Sequence, residues 1–288
     1  MKDPENFFEI HVQGPLAGLR LDQVMASRVS RRFARRLIEA GAVFVDRQRV
    51  KVASRIVRAG SVVRAPLELP RTPVGAEDPE GWILATDPRF VVVDKPAGWP
   101  TAPTAQGDRS VVTELSRRLG QLWVVSRLDF HTSGVLPFVR DPAILTAFEE
   151  LLRSEACEKI YVALTRAFDL ALGLVDLPIG PHPARAQRFC VRDDGRPART
   201  EVLEVAALPD DRQLVRLRLL TGRTHQIRVH LAHLGCPVLG DPWYPVGEAT
   251  GAGPMFLHAE RLRWRSPVFG DADFLAPIPW EMAPVPTR

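Results

Sequence analysis

The stretch "VVSRLDFHTSGVLPFVRD", residues 124–141, places two apolar segments on either side of a single carboxylate. The apolar residues at 123–125 and 135–139 are typical of two strands. We interpret the Thr-Ser-Gly segment at 132–134 as a turn between them. Asp129 then follows a strand end, where a carboxylate can project into a cleft. An Asx-turn explains the same residue without any function, so both interpretations stay open at this point.

The rest of the chain predicts an α+β protein of two domains. Strand-like and helix-like segments are interspersed, and the strands suggest antiparallel and mixed pairing rather than regular βαβ units. At 288 residues the chain is long enough for two hydrophobic cores. We predict a small N-terminal α/β domain over 1–66 and a Pro/Gly-rich linker over 67–81. A larger domain over 82–288 is expected to carry a large mixed or antiparallel sheet with flanking helices.

Composition excludes several classes of protein. No run of about 18 apolar residues is present, so no membrane span is expected, and the first ten residues, "MKDPENFFEI", do not resemble a secretory signal. Cys157, Cys190 and Cys236 lie far apart. This spacing suits a reducing compartment and argues against a disulfide framework or a zinc knuckle. We therefore expect a cytoplasmic protein without a membrane partner.

The usual cofactor and metal motifs are also missing. The sequence contains no GxxxxGK[ST], GxGxxG or HExxH segment and no zinc deaminase signature. His225, His230 and His233 suggest a metal site at first sight. Only His230 and His233 share a helix face, however, and no third ligand is evident. We expect neither a metal nor a cofactor.

Positive charge is concentrated in the N-terminal domain. Residues 18–66 contain 12 Lys/Arg against 3 Asp/Glu, whereas the rest of the chain contains 26 against 31. Such a concentration favours a polyanion as partner, although a solvated basic surface is the simpler alternative. The helix predicted in "SRRFARRLIEAG" begins after Ser30 and ends at Gly41. The candidate binding residues are Arg28, Arg31, Arg32, Arg35 and Arg36.

Five collinear segments resemble one enzyme family. "SRLDFHTSG" is similar to the HRLDxxTSG signature of the RluA-type pseudouridine synthases. The other segments are "DKPAG" (94–98), "EKIYVAL" (158–164), "TGRTHQIRVHLAHLGCPVLGDPWY" (221–244) and "FLHAERLRW" (256–264). The resemblance extends from about residue 82 to 270. The basic N-terminal domain resembles the small RNA-binding domain of a ribosomal small-subunit protein.

The resemblance implies that the protein isomerises uridine to pseudouridine in structured RNA. The reaction breaks the C1′–N1 bond, turns the base and rejoins it through C5, without net redox change and hence without a cofactor. Asp129 matches the catalytic aspartate, acting as nucleophile or base at the ribose. Arg228 matches the arginine that keeps this aspartate ionised. Tyr161 matches the tyrosine that stacks on the target base, with assistance in proton removal from C5 as a further expected role. A surface arginine and a core tyrosine are the alternatives for these two.

The resemblance also implies substrate-binding residues, namely Arg127, Thr132, Arg223 and His225. Arg127 would fill the space that the flipped uridine leaves, and it would share a face with Asp129 if the strand before it continued. Three positions depart from the family pattern: Ser126 replaces a histidine, Arg140 replaces a lysine, and "WPTA" follows DKPAG. These departures put the RNA target in question, but not the reaction.

We expect a monomer that acts on ribosomal RNA, with transfer RNA as the alternative substrate. Two other functions are kept as alternatives. A catalytically silent RNA-binding protein would be indicated by loss of the catalytic carboxylate, but Asp129 is present. A nucleoside glycosidase would be indicated by a second carboxylate opposite the first, and the signature offers only one.

Overall fold

The computed structural model describes residues 7–39, 42–46, 48–50, 52–66, 79–104, 107–185, 187–209, 211–244 and 254–280. The chain divides into two compact units, Met1–Thr72 and Pro73–Arg288. Most of the predicted linker, 67–78, lies outside the described residues. The last part of that prediction differs from the structure, because residues 79–81 belong to a short 3₁₀ helix, Pro79–Trp82.

The described part of the N-terminal unit forms a four-stranded antiparallel sheet with two α-helices. In chain order its elements are β1 (Phe7–His11), α1 (Leu21–Met25), α2 (Arg31–Glu39), β2 (Val43–Val45), β3 (Gln48–Val50) and β4 (Val62–Pro66). The strand order is β1-β4-β2-β3. The Ser30 hydroxyl accepts the Phe33 N–H, which confirms the predicted start of α2. Leu37 and Ile38 of this helix are fully buried, whereas Gly41, the predicted helix end, lies outside the described residues.

The larger unit contains one sheet of ten strands among its described residues. Its helices are α3 (Val111–Leu119), α4 (Leu145–Arg153) and α5 (Gln226–His233). Its strands are β5 (Ile83–Thr86), β6 (Phe90–Lys95), β7 (Trp123–Val124), β8 (Ser133–Val139), β9 (Cys157–Arg166), β10 (Gly173–Asp176), β11 (Ile179–Pro181), β12 (Phe189–Val191), β13 (Arg199–Leu208), β14 (Arg212–Leu219), β15 (Leu257–Trp264) and β16 (Ala272–Leu275).

The main sheet runs in the order β10-β13-β14-β9-β15-β8-β6-β5, with β16 added to β15 and β7 to β8. Strands β15 and β8 are parallel and the other pairs are antiparallel. The sheet is therefore mixed, and the predicted α+β class is confirmed. Strands β11 and β12 form a separate two-stranded ribbon. No described helix is long and apolar enough to cross a membrane.

Strand β8 is apolar throughout because both of its faces are covered. Leu136 and Phe138 pack in a cluster with Leu115 of α3. Val135 and Val139 pack on the other face in a cluster with residues of α4. All seven residues of β8 are buried, which accounts for the continuous apolar run that the sequence shows after residue 133.

The turn predicted at 132–134 is wrong. The turn occupies Phe130 and His131, and it is closed by a hydrogen bond from the Thr132 N–H to the Asp129 carbonyl at 3.1 Å. Ser133 and Gly134 already belong to β8. Gly134 has φ 111°, and a Cβ built on it would lie 2.2 Å from the Ala259 carbonyl oxygen. The glycine is required because β8 and β15 approach each other closely there.

The register of the sheet aligns residues from four of the family-like segments. Gly134 is paired with Lys95 of β6 on one side and with Ala259 of β15 on the other. Ala259 is paired in turn with Tyr161 of β9. Segments far apart in sequence thus meet in one transverse row, because neighbouring strands lie about 5 Å apart.

Substituting Gly134 tests the close approach of β8 and β15. We expect Gly134→Ala to lower the free energy of unfolding by at least about 4 kcal/mol, since both the backbone conformation and the clash oppose the methyl group. The matched control is Gly120→Ala, which also has positive φ but has open space around its Cβ. It should cost about 1–3 kcal/mol, because only the backbone conformation opposes the methyl group. Urea denaturation of both variants gives the comparison, and equal losses would contradict the steric explanation.

Candidate active site

Asp129 lies in a loop that is fixed at both of its ends. Thr101 holds the first end, since its hydroxyl accepts the Leu128 N–H and donates to the Leu128 carbonyl. The Thr132 N–H closes the second end on the Asp129 carbonyl. The Asp129 side chain is 27% exposed. A rigid loop with a partly exposed carboxylate is what a catalytic aspartate needs.

Lys95 lies fully buried beneath this loop. Its ammonium donates to the carbonyl oxygens of Trp99 at 2.8 Å, Pro96 at 3.0 Å and Phe130 at 3.4 Å. Burial lowers the pKa of Lys95 to about 7, although the charge of Asp129 acts in the opposite direction. The contact to the residue after Asp129 joins the DKPAG segment to the signature loop.

Arg228 is bound to two carboxylates at once. It lies on α5, is 3% exposed, and donates from Nη1 to Asp129 Oδ2 at 2.7 Å. Its Nε and Nη2 donate to the two oxygens of Asp241 at 2.7 and 2.9 Å. Burial alone would lower the pKa of Arg228, but the two carboxylates outweigh it and raise the pKa. The surface alternative for Arg228 is therefore wrong.

Asp241 is itself held in place by the chain that follows it. Its Oδ1 accepts the N–H groups of Trp243 and Tyr244 at 2.8 and 3.2 Å. The rings of the same two residues flank the Arg228 guanidinium, with centroids 5.6 and 5.1 Å from its central carbon. This cage fixes the plane of the guanidinium and hence the direction of its Nη1 donor.

His225 is the second polar group near the carboxylate. Its Nε2 lies 3.8 Å from Asp129 Oδ2, and its Nδ1 lies 2.7 Å from the Tyr244 hydroxyl. That hydroxyl accepts the Phe189 N–H at 3.0 Å and can donate to Nδ1, which leaves the proton on Nε2, toward Asp129. Burial lowers the pKa of His225 to about 4. The imidazole is therefore neutral at physiological pH.

Tyr161 lies on β9, close enough to Asp129 for the carboxylate charge to act on its phenol. Burial raises the pKa of its phenol, and the negative charge of Asp129 raises it further. The ring packs against two apolar clusters, one that includes residues of β6 and β8 and one that includes residues of β13 and β14. The side chain is only partly buried, so one part is accessible to a ligand. Its role in stacking stays a prediction.

The other predicted residues are less closely joined to Asp129. Strand β7 ends at Val124, so the condition under which Arg127 would share a face with Asp129 is not met, although Arg127 is exposed. Thr132 is 2% exposed and shapes the loop through its N–H. Arg223 donates from Nε to the Pro197 carbonyl. Contacts of these three residues with substrate stay predictions.

Of the two histidines on α5, His230 stabilises the fold. His230 is buried and bonds to the Thr200 hydroxyl and the Leu177 carbonyl, while His233 is exposed. Among the described residues no group of three His, Cys, Asp or Glu could hold a metal ion. Asp241 and Tyr244 were missed as members of the site. Both stand in the "GDPWY" segment, but nothing in their spacing from Arg228 indicates an ion pair.

Comparison with known proteins gives two family matches. A model described as RNA pseudouridylate synthase matches residues 89–233, and the S4 domain model matches residues 19–63. An RNA pseudouridine synthase of Chloroflexus aurantiacus is 35% identical over 91% of this chain and 87% of its own length. Ribosomal large subunit pseudouridine synthase D of Xanthomonas campestris pv. campestris is 33% identical over 92% and 87%.

Among solved structures, human RNA pseudouridylate synthase domain containing 1 is similar with a TM-score of 0.58 and 29% sequence identity. The similarity covers 68% of this chain and 83% of the human one. The fold, the positions of the matched segments and the site geometry thus agree in pointing to one family.

Stability should depend on pH through His225. The folded protein keeps this histidine neutral down to pH about 4, whereas the unfolded chain protonates it near pH 6.5. The contribution of the neutral imidazole to the free energy of unfolding is therefore lost as the pH falls from about 6.5 to about 4. It amounts to roughly 3 kcal/mol at most. We expect the loss of stability over this range to be smaller in His225→Gln than in the unaltered protein. Urea denaturation at several pH values gives the comparison, with His233→Gln as the control. A slope unchanged in His225→Gln would contradict the buried neutral imidazole.

Proposed function

The chain belongs to the RNA pseudouridylate synthase family, and we propose that it isomerises specific uridines of structured ribosomal RNA with Asp129 as the catalytic carboxylate. The observation that carries this proposal is the 2.7 Å contact between the partly exposed Asp129 and the buried Arg228. A charged guanidinium at this distance orients the carboxylate through a charge-assisted hydrogen bond, and the exposed fraction leaves room for a ribose.

The first step of the reaction requires an ionised carboxylate. Asp129 either attacks C1′ or removes a ribose proton while the C1′–N1 bond breaks. Arginine cannot be deprotonated at physiological pH, so Arg228 holds its charge through either step. Since Asp241 engages two other nitrogens of the guanidinium, Arg228 cannot turn away when the charge of Asp129 changes. The site is therefore organised before the substrate binds.

Tyr161 is proposed to contact the uracil ring after cleavage. The raised pKa keeps it a neutral phenol, which favours a stacking surface over a general base. His225 presents a neutral N–H toward the same carboxylate oxygen that Arg228 contacts. Arg127, Thr132 and Arg223 are proposed to contact the RNA around the flipped nucleotide. None of these steps needs a cofactor or a metal.

A glycosidase that does not rejoin the base is less well supported. Such an enzyme uses two carboxylates on opposite sides of the bond. The second carboxylate of the cluster is Asp241, which has a side chain only 1% exposed. It accepts hydrogen bonds from Arg228 and from two backbone N–H groups. Asp241 is thus engaged with the protein and cannot activate a water at the substrate.

Ribosomal RNA is proposed as the substrate on two grounds. The Xanthomonas relative carries the name of a ribosomal large subunit enzyme, and the N-terminal S4 domain match coincides with the basic part of the chain. Transfer RNA is the alternative. We further propose that the protein acts as a monomer in the cytoplasm, where ribosomal RNA is found.

Replacing Asp129 tests the chemistry. We expect Asp129→Asn to abolish pseudouridine formation while RNA binding is kept, because the carboxylate acts on the ribose and not on phosphates. The matched control is Asp169→Asn, which removes one negative charge at an exposed position. Mapping pseudouridines in total RNA of cells lacking the gene and complemented with each variant measures activity. The same map identifies the RNA. Full activity of Asp129→Asn would contradict the mechanism, and a site lost only from transfer RNA would contradict the proposed substrate.

Removing the N-terminal unit tests its role in binding. We expect a chain without residues 1–72 to bind RNA more weakly and with a smaller salt dependence, since each lost phosphate contact reduces the slope of log K against log salt by about 0.9. Binding measured at several salt concentrations gives both quantities. An unchanged slope would show that the basic unit does not contact RNA.

A further inference from the structure

Three arginines of the N-terminal unit converge on one buried carboxylate. Asp22 of α1 is fully buried. It accepts hydrogen bonds from the Nε atoms of Arg20 at 3.1 Å, Arg31 at 3.2 Å and Arg35 at 3.1 Å. Arg20 precedes α1, whereas Arg31 and Arg35 lie one turn apart on α2. The carboxylate thus joins the two helices.

The number of cations exceeds what the buried acid requires. A carboxylate is compensated by a single arginine in a bidentate pair, and the three hydrogen bonds around Asp22 lower its pKa against the effect of burial. The remaining two positive charges repel each other, because all three guanidinium groups lie within hydrogen-bonding distance of the same carboxylate. Folding alone does not account for bringing them together, but a polyanionic ligand does.

The mode of attachment leaves the outer edge of each guanidinium available. All three arginines use Nε on Asp22, and their Nη atoms make no hydrogen bond to a described residue. The side chains are 41%, 50% and 50% exposed. An arginine fixed through Nε presents its two Nη atoms as a fork, which matches the oxygens of a phosphate.

We propose that Asp22 is a positioning residue that assembles Arg20, Arg31 and Arg35 into one binding site for the phosphodiester backbone of RNA. The inference rests on the proposed function, in which RNA is the substrate. It adds Arg20 to the predicted basic face and gives Arg31 and Arg35 a role different from that of Arg28 and Arg32. The latter two are exposed and have no ion pair with a described residue.

Replacing Asp22 separates positioning from net charge. Asp22→Asn adds one unit of positive charge, so attraction by charge alone would tighten RNA binding. Positioning predicts the opposite, with affinity reduced about tenfold because three long side chains then have to be immobilised on binding. The full chain is titrated against a fluorescein-labelled RNA hairpin by fluorescence anisotropy over a KCl series. Glu9→Gln adds the same charge at an exposed position of the same unit and should bind equally or more tightly.

A second pair of variants covers the case in which Asp22→Asn fails to fold. Arg35→Lys keeps a positive charge near Asp22. A lysine ammonium that is bound to Asp22, however, has no second pair of fixed N–H donors to offer to a phosphate. Arg58→Lys makes the same change at an exposed position of the same unit that is not among the candidate binding residues. We expect weaker binding for Arg35→Lys and unchanged binding for Arg58→Lys.

Equal affinities of these two lysine variants, or a folded Asp22→Asn chain that binds as tightly as the unaltered protein, would overturn the proposal. Because the hairpin titration needs no turnover, its outcome is independent of whether Asp129 forms pseudouridine. Conversely, loss of pseudouridine in the Asp129 variant says nothing about Asp22. The two proposals therefore fail separately.

Discussion

A buried guanidinium between two carboxylates is the interaction on which the site depends. Arg228 is 3% exposed, so its charge has to be compensated within the protein. Asp241 engages two of its nitrogens and fixes the plane of the group, and Nη1 is then directed at Asp129. Because a planar fork has a single orientation once two donors are engaged, the Asp129 carboxylate is oriented from α5 as well as from its own loop.

This contact requires the central part of the sheet. Helix α5 packs through Ile227 and Leu231 on a cluster that includes residues of β9 and β14, whereas the Asp129 loop leads directly into β8. Strand β15 lies between β8 and β9. The separation of Asp129 from Arg228 therefore follows from the spacing of three strands, and the Gly134–Ala259 approach keeps that spacing short. A substitution in the sheet can thus disturb the site without touching it.

The features predicted from the sequence are those that apolar periodicity and helix capping determine. Few of the contacts between residues far apart in the sequence were predicted. The strands on either side of Asp129 and the helix after Ser30 follow from apolar spacing and a cap. Strands β1 and β10 were not predicted, because short strands gain their stability from neighbours that the local sequence does not show. Helix α5 is buried from Gln226 to Leu231, so no polar face indicated where Arg228 points. Asp22 was missed since its arginine partners on α2 lie nine and thirteen residues further along.

The use of arginine rather than lysine explains how the buried carboxylates of Asp241 and Asp22 can have different roles. Four of the 38 basic residues are lysines, and burial brings the pKa of one of them, Lys95, down to about 7. A lysine at position 228 would face the same desolvation, and it has no fork with which to bind two carboxylates at once. Arginine keeps its charge when buried, so Asp241 can orient one cation toward Asp129. By the same property, Asp22 can hold three cations whose charges remain available to a polyanion.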